Sequence, residues 1–217
     1  MDRPQPVSAE LETDLRNLRQ LNRYFGSYRL IEHFLRRWLR PGSRVRVLDL
    51  ATGSGDIPRL VVDHGRKVGA VVTVDAIDQQ PSTIEIARCL SADYPEIEFR
   101  DADVFDFVPT QTYDIVMCSL ALHHFTEPDA IRLLRRCREL SSKYVLVSDL
   151  RRGALATLGV YLLTALVFRE PMTRTDGRRS AERAFSFAEF RSLAERGGWK
   201  NFGHARFAFA RQAIWLE

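Results

Sequence analysis

Cysteine is scarce and scattered. Cys89, Cys118 and Cys137 are three in 217 residues. None forms a C-x-x-C pair and their number is odd, which argues against a disulfide framework and against a zinc site. No metal is expected. Long apolar runs are also missing. The longest uncharged stretch, Gly153 to Phe168, has 16 residues, short of the roughly 18–20 that a membrane-spanning helix needs. The opening Met1-Asp-Arg-Pro is polar and no apolar run follows, so no signal peptide is expected. A reduced, cytoplasmic protein is the expectation. Charge of one sign is lacking as well: 32 basic residues face 28 acidic ones, a net +4. The dense basic stripe with interleaved aromatics that marks a nucleic-acid domain is absent. With 45% hydrophobic and 28% charged residues, neither disorder nor a fibrous repeat is indicated.

What is present is periodicity. Leu11, Leu15, Leu18 and Leu21 fall on one helix face, and Leu30, Ile31, Phe34, Leu35, Trp38 and Leu39 form a second stripe that Pro41-Gly42 stops. Val45 to Ala51 reads as a buried strand. A short helix follows from Asp56 to His64, with Gly65 after its end, then a strand from Ala70 to Ile77. Pro81 opens a helix to about Asp93. Further strands are expected at 96–100, 113–118 and 144–148, with a helix at 128–140 between the last two. This alternation predicts an α/β fold, a doubly wound and mostly parallel sheet of seven strands with helices on both faces. Ser186-Phe-Ala-Glu189 is a capping box opening a last helix, and two closing strands at 202–209 and 212–216 can pair as a hairpin. One domain is the simplest parse of 1–217. It divides into a helical preface (1–43), a ligand-binding core (44–150), an insertion over the site (151–184), and a closing helix and hairpin (185–217).

The informative segment is Val45-Arg-Val-Leu-Asp-Leu-Ala-Thr-Gly-Ser-Gly-Asp56. A buried strand runs into Gly53 and Gly55 and then into a helix whose first N–H groups are free. Ala51, Thr52, Gly53, Ser54 and Gly55 would form the ligand loop. The dinucleotide fingerprint G-x-G-x-x-G fails here, since Pro58 stands where its third glycine belongs. Asp49 and Asp56 would also repel a pyrophosphate, whereas a cationic, phosphate-free ligand is favoured by them. Asp78 follows the second strand, where a carboxylate can accept both hydroxyls of a ribose, with Gln79 beside it. Ala102, Asp103 and Val104 follow the third strand, and Asp103 or Asp101 can accept from an adenine amino group. Cys118 and Ser119 end the fourth strand and lead to His123 and His124, either of which can serve as a base toward a phenol or simply pack.

In this order and spacing these pieces resemble the class I methyltransferases that use S-adenosylmethionine and release S-adenosylhomocysteine. Their first motif, D-x-G-x-G-x-G, is similar to Asp49-Leu-Ala-Thr-Gly-Ser-Gly55, with Ala51 replacing the first glycine. The run from Leu48 to Asp56 resembles the ubiquinone/menaquinone-biosynthesis type. Leu21-Asn-Arg-Tyr-Phe-Gly26, Asp149-Leu-Arg-Arg152 and Met172-Thr-Arg-Thr-Asp-Gly177 look like bacterial methyltransferases linked to polyketide or quinone-like products. The resemblance covers about 45–150 and implies O- or C-methylation of a small aromatic acceptor. Asn22, Tyr24, Tyr161 and Arg174 are the candidate acceptor contacts. The uncharged run at 153–168 can wall the acceptor pocket, join a homodimer or touch a membrane shallowly. No N-P-P-Y-like motif follows the fourth strand, where Cys118-Ser-Leu-Ala121 stands instead, so a nucleic-acid substrate is not expected. A nicotinamide-dependent oxidoreductase and a non-catalytic binder of adenosyl ligands are the alternative readings.

Overall fold

The computed structural model describes residues 6–153, 159, 161 and 171–217. Two helices come first, α1 (Ala9–Tyr24) and α2 (Ser27–Trp38), followed by β1 (Arg44–Leu50) and α3 (Asp56–Val68). Then come β2 (Val71–Asp78), α4 (Pro81–Leu90), β3 (Ile97–Asp101) and β4 (Tyr113–Ser119). A 3-10 turn at Leu122–His124 leads to α5 (Glu127–Leu140) and β5 (Ser141–Leu150). The described chain ends with α6 (Pro171–Arg183), α7 (Phe187–Arg196), β6 (Gly203–Phe207) and β7 (Arg211–Leu216).

The seven strands form one sheet in the order β3-β2-β1-β4-β5-β7-β6. β1 pairs in parallel with both β2 and β4, while β7 runs antiparallel to β5 and to β6. The chain therefore winds one way from β1 to β3 and the other way from β4 onward. The crevice beyond the carboxyl ends of β1 and β4 is the switch point at which such sheets take ligands. Strand alternation explains the two cores. Val45 and Val47 pack with α2 and α3 on one face, whereas Leu48 and Leu50 pack with α5 and α7 on the other. Asp49 consequently shares the α2/α3 face.

Several boundaries differ from the sequence reading. The helix after the glycine loop does not stop at Gly65 but runs to Val68, and Gly69 caps it in the left-handed region at φ 76. Gly65 lies inside because the helix closes on β2 there, and a Cβ would sit 2.5 Å from Val72. The helix from Pro81 ends at Leu90 rather than near Asp93, and β5 starts three residues earlier than the apolar run suggests. The capping box at Ser186 and Glu189 forms with both of its bonds.

Two helices roof the crevice. Ser8 caps α1 by accepting from the Leu11 N–H at 3.1 Å, and Leu11 and Leu15 pack on Ile86 of α4. α1 is tied to α6 by Asn17, whose Nδ2 donates to Oγ1 of buried Thr173 at 3.0 Å. Gly26 turns the chain from α1 into α2 at φ 85, and a Cβ there would press on Phe209 at the tip of the β6–β7 hairpin. Most of the uncharged 153–168 run lies outside the described residues. Among the described residues no helix is long and apolar enough to cross a membrane.

Candidate functional site

A cavity of about 950 Å3 fills the crevice. It lies near the top of the roughly 300–1,000 Å3 range of small-molecule sites, room for two ligands side by side. Its floor is the loop after β1. Ala51 adopts φ 55, a left-handed conformation that favours glycine, the residue found there in the D-x-G-x-G-x-G pattern. Gly53 follows at φ 55 and has nothing within 4 Å of where a Cβ would stand, so the loop presents bare backbone to the cavity. Gly55, at φ 71, is needed for a second reason: a Cβ would lie 2.6 Å from the Phe99 ring. The buried Arg59 guanidinium props the loop from behind, donating to the Ser54 carbonyl at 2.9 Å and to Ser91 Oγ at 2.7 Å. Replacing Ala51 by Gly should relieve the strained residue. We expect a gain of about 1 kcal/mol, read as a melting temperature raised by about 2–4 °C in a chain of this size. No change in the melt would mean that Ala51 is unstrained.

Carboxylates gather at this end. Asp78, closing β2, accepts from the Gly53 N–H at 2.9 Å and from the Gln80 N–H at 3.0 Å, so it holds the glycine loop against its own turn. Burial raises its pKa, against the pull of those two N–H groups. Asp56, first residue of α3, accepts from Asn22 Nδ2 at 3.0 Å, which ties the roof helix to the loop. Burial pushes the Asp49 carboxyl up to about 7; the Thr52 hydroxyl opposes this, and Asp56 and Asp78 add to the rise. The Oδ1 atom of Asp49 is buried without a partner. Burial and the charge of Asp56 likewise raise the Tyr28 phenol. Asp103 lines the cavity while Asp101 points to solvent, which separates the two sequence alternatives at this loop. A pyrophosphate would meet the like charges of Asp56, Asp78 and Asp103 here. A ligand bearing an ammonium and a sulfonium fits, because its charge complements Asp56 and Asp78 on the wall and Asp49 buried behind it, and the open space over Gly53 leaves it room.

The opposite wall carries a pair that the sequence alone did not join. The His123 backbone N–H donates to Asp149 Oδ2 at 2.9 Å, and its ring Nδ1 lies 2.6 Å from Asp149 Oδ1. Both side chains are buried, at 3% and 1% exposure. Leu150 also donates its N–H to Asp149, so the carboxylate is held by the strand that carries it. A carboxylate at Nδ1 fixes the neutral ring in the tautomer with its proton there and leaves Nε2 as an acceptor. Nε2 has no partner, and His123 lines the cavity. His124 also lines it, exposed, with its ring 4.2 Å from that of His123. Leu120, just before this turn, sits at φ 56, so left-handed non-glycine residues mark the ends of both β1 and β4.

Of the expected ligand-loop residues, Ala51, Thr52, Gly53, Ser54, Asp56, Asp78, Gln79, Asp103, Val104 and Ser119 line the cavity. Asp49, Gly55, Ala102 and Cys118 lie behind it. Cys118 is fully buried against α5, because it and Ser119 are neighbours on a strand and face opposite ways. Among the expected acceptor contacts only Asn22 lines the cavity. Tyr24 is 66% exposed on the outside of α1, Tyr161 donates to Glu182, and Arg174 stands outside the wall. Asp149, Arg151 and Arg211 were missed. The first two lie in a stretch noticed only for its resemblance, and Arg211 looks from sequence like an ordinary strand edge.

Residues 47–143 match the family described as "Methyltransferase domain". Over 115 residues the chain is 30% identical to the 2-phytyl-1,4-naphthoquinone methyltransferase of Thermosynechococcus vestitus, a stretch covering 52% of this chain and 49% of that one. The chain thus spans about half the length of that relative. A SAM-dependent methyltransferase from Aquifex aeolicus superposes with a TM-score of 0.66 at 18% identity, over 94% of this chain and 97% of the other. Magnesium protoporphyrin IX methyltransferase from Synechocystis PCC 6803, solved with bound SAH, gives 0.60 at 16% identity, over 88% and 82%. Residues 47–143 thus match a methyltransferase domain, and the seven-stranded sheet that carries them has the fold of S-adenosylmethionine-dependent methyltransferases of known structure.

Proposed function

We propose that the chain transfers a methyl group from S-adenosylmethionine to a small aromatic acceptor of the phenolic, quinone-like or polyketide-like kind. The observation that carries this reading is His123, a buried imidazole oriented by Asp149 with an unpartnered Nε2, set across one cavity from the acidic loop. S-adenosylmethionine, when bound, supplies a methyl group already activated on a sulfonium. The protein must then hold the acceptor in line and remove its proton. His123 Nε2 takes the proton of the acceptor hydroxyl, and Asp149 stabilises the imidazolium that forms. The resulting phenolate is nucleophilic at oxygen and at the ring carbons ortho and para to it, so one base serves O- and C-methylation alike.

On the cofactor side, Asp56 faces the ammonium, with Asp49 behind it. Asp78 accepts from the ribose hydroxyls with the lone pairs its backbone donors leave free. Asp103 takes the adenine amino group. The names of the relatives support a conjugated acceptor, since one is a naphthoquinone methyltransferase and another a porphyrin methyltransferase. The size of the cavity and the leucine and phenylalanine side chains of α1 and the hairpin tip that line it are in keeping with such an acceptor.

Calorimetry on protein freed of endogenous ligand tests the reading. S-adenosylhomocysteine should bind in the micromolar range and NADH should not. Incubation with S-adenosylmethionine and a panel of hydroxyarenes should then yield a product heavier by one CH2 unit. Binding of NADH, or silence from both sulfur ligands, would overturn it in favour of the oxidoreductase or non-enzymatic alternatives.

A further inference from the structure

The acceptor end of the cavity holds two arginines to which no carboxylate is paired. Arg211 opens β7 and is 7% exposed. Its Nε donates to Ser27 Oγ at 2.9 Å and its Nη1 reaches the Phe209 carbonyl at 3.5 Å. Arg151 follows β5. Its backbone N–H holds the hairpin tip through the Ala210 carbonyl at 2.7 Å, while its side-chain Nε is buried without a partner. Both line the cavity, and among the described residues neither forms an ion pair. Burial lowers the pKa of Arg211 to about 10, with the charge of Asp149 pulling the other way.

Asp149 offsets part of the Arg211 charge but hydrogen-bonds to neither guanidinium. Its two oxygens already take the His123 ring, the His123 N–H and the Leu150 N–H. A buried guanidinium with one hydroxyl and one distant carbonyl for partners is under-satisfied, and such a group is tolerated where a ligand completes it. Both signs of charge line the cavity: Asp56, Asp78 and Asp103 follow or end β1, β2 and β3, Arg151 and Arg211 stand at the ends of β5 and β7, and Arg19 and Asp176 come from α1 and α6.

We infer that the acceptor carries a carboxylate, bound by Arg211 and Arg151, in addition to the group that is methylated. The proposal rests on the methyl-transfer reading and names its substrate class, a hydroxyaryl carboxylic acid. The planar fork of a guanidinium matches a carboxylate in two parallel bonds. Arg211 pairs in register with Leu150 and so faces the other side of the sheet from Asp149, but at the strand ends Arg211, Arg151 and His123 line the same cavity. One acceptor in that cavity can present a hydroxyl to His123 and a carboxylate to the arginines.

A binding experiment tests this without turnover. The complex with S-adenosylhomocysteine is titrated with 2-hydroxybenzoate, with its primary amide and with phenyl phosphate. The acid is expected to bind at least tenfold tighter than the amide. Arg211→Gln and, separately, Arg151→Gln should each erase most of that preference, with Arg211→Lys retaining part of it. Affinity for S-adenosylhomocysteine should stay within twofold in all three, which also shows that they fold. Equal binding of acid and amide, an undiminished preference in both glutamine variants, or phenyl phosphate bound tightly with the acid no better than the amide would overturn the proposal. S-adenosylhomocysteine binding to the wild-type protein remains its own readout, so failure here is distinct from failure of the methyltransferase reading.

Discussion

His123→Gln should lower kcat for methylation by roughly 100- to 10,000-fold, the usual worth of a positioned general base, while the affinity for S-adenosylhomocysteine stays within about twofold. Glutamine keeps the ring's approximate size and a polar end, and cannot take a proton. The backbone N–H that anchors the turn to Asp149 is untouched, so the wall should keep its shape. Asp149→Asn attacks the same function indirectly. An amide at that position can donate to Nδ1 and so stabilises the wrong tautomer, with the proton moved to Nε2, where the acceptor hydroxyl must be met. Because base and orienter act as one unit, the double variant should be little worse than His123→Gln alone. Added imidazole should restore part of the activity of His123→Ala. Full activity in His123→Gln, with product confirmed by mass spectrometry, would falsify the base assignment and leave catalysis to positioning alone.

The parts of the site that sequence made legible are those built from contiguous residues. Gly53 and Gly55 betray a tight turn, because few other residues accept φ 55 or φ 71 and none but glycine leaves room beside Phe99. The alternation of apolar runs with helices gives the sheet, since the central strands β1, β4 and β5 are buried on both faces over much of their length. What stayed hidden depends on strand order. His123 and Asp149 are 26 residues apart and meet only because β4 and β5 lie side by side with their ends level. Arg211 becomes a cavity residue only because β7 inserts antiparallel between β5 and β6. No local pattern announces that insertion. The end of β4 does reach the crevice, but strand alternation gives the cavity Ser119 and turns Cys118 into the core. Tyr24 follows the apolar face of α1 in sequence, yet projects outward from it.

Asp49→Asn should make the ligand-free protein more stable and a poorer binder, with both effects growing with pH. Well below pH 3.8 the folded and unfolded chains both hold the Asp49 proton. As pH rises toward about 7, the unfolded chain sheds it and the folded chain keeps it, so stability is lost through that window. With one pKa unit worth about 1.4 kcal/mol, the full cost above pH 7 is about 4 kcal/mol. The asparagine carries no charge to bury. Its amide meets the same unpartnered surroundings as Asp49 Oδ1, which offsets part of the gain. The variant should therefore exceed the wild type by about 2–4 kcal/mol in urea melts at pH 8, with the difference closing as pH falls below about 4. On the proposed reading, a bound ammonium and sulfonium would supply the missing counter-charge. Cofactor binding should then draw the proton off Asp49. Calorimetry at pH 6 in two buffers of different ionisation enthalpy should detect its release from the wild type and none from Asp49→Asn. The variant should also bind S-adenosylmethionine at least tenfold more weakly. A stability difference that does not grow between pH 4 and 8 would mean that Asp49 is ionised without cost, and the strain assigned to the cofactor end would lie elsewhere among Asp56 and Asp78.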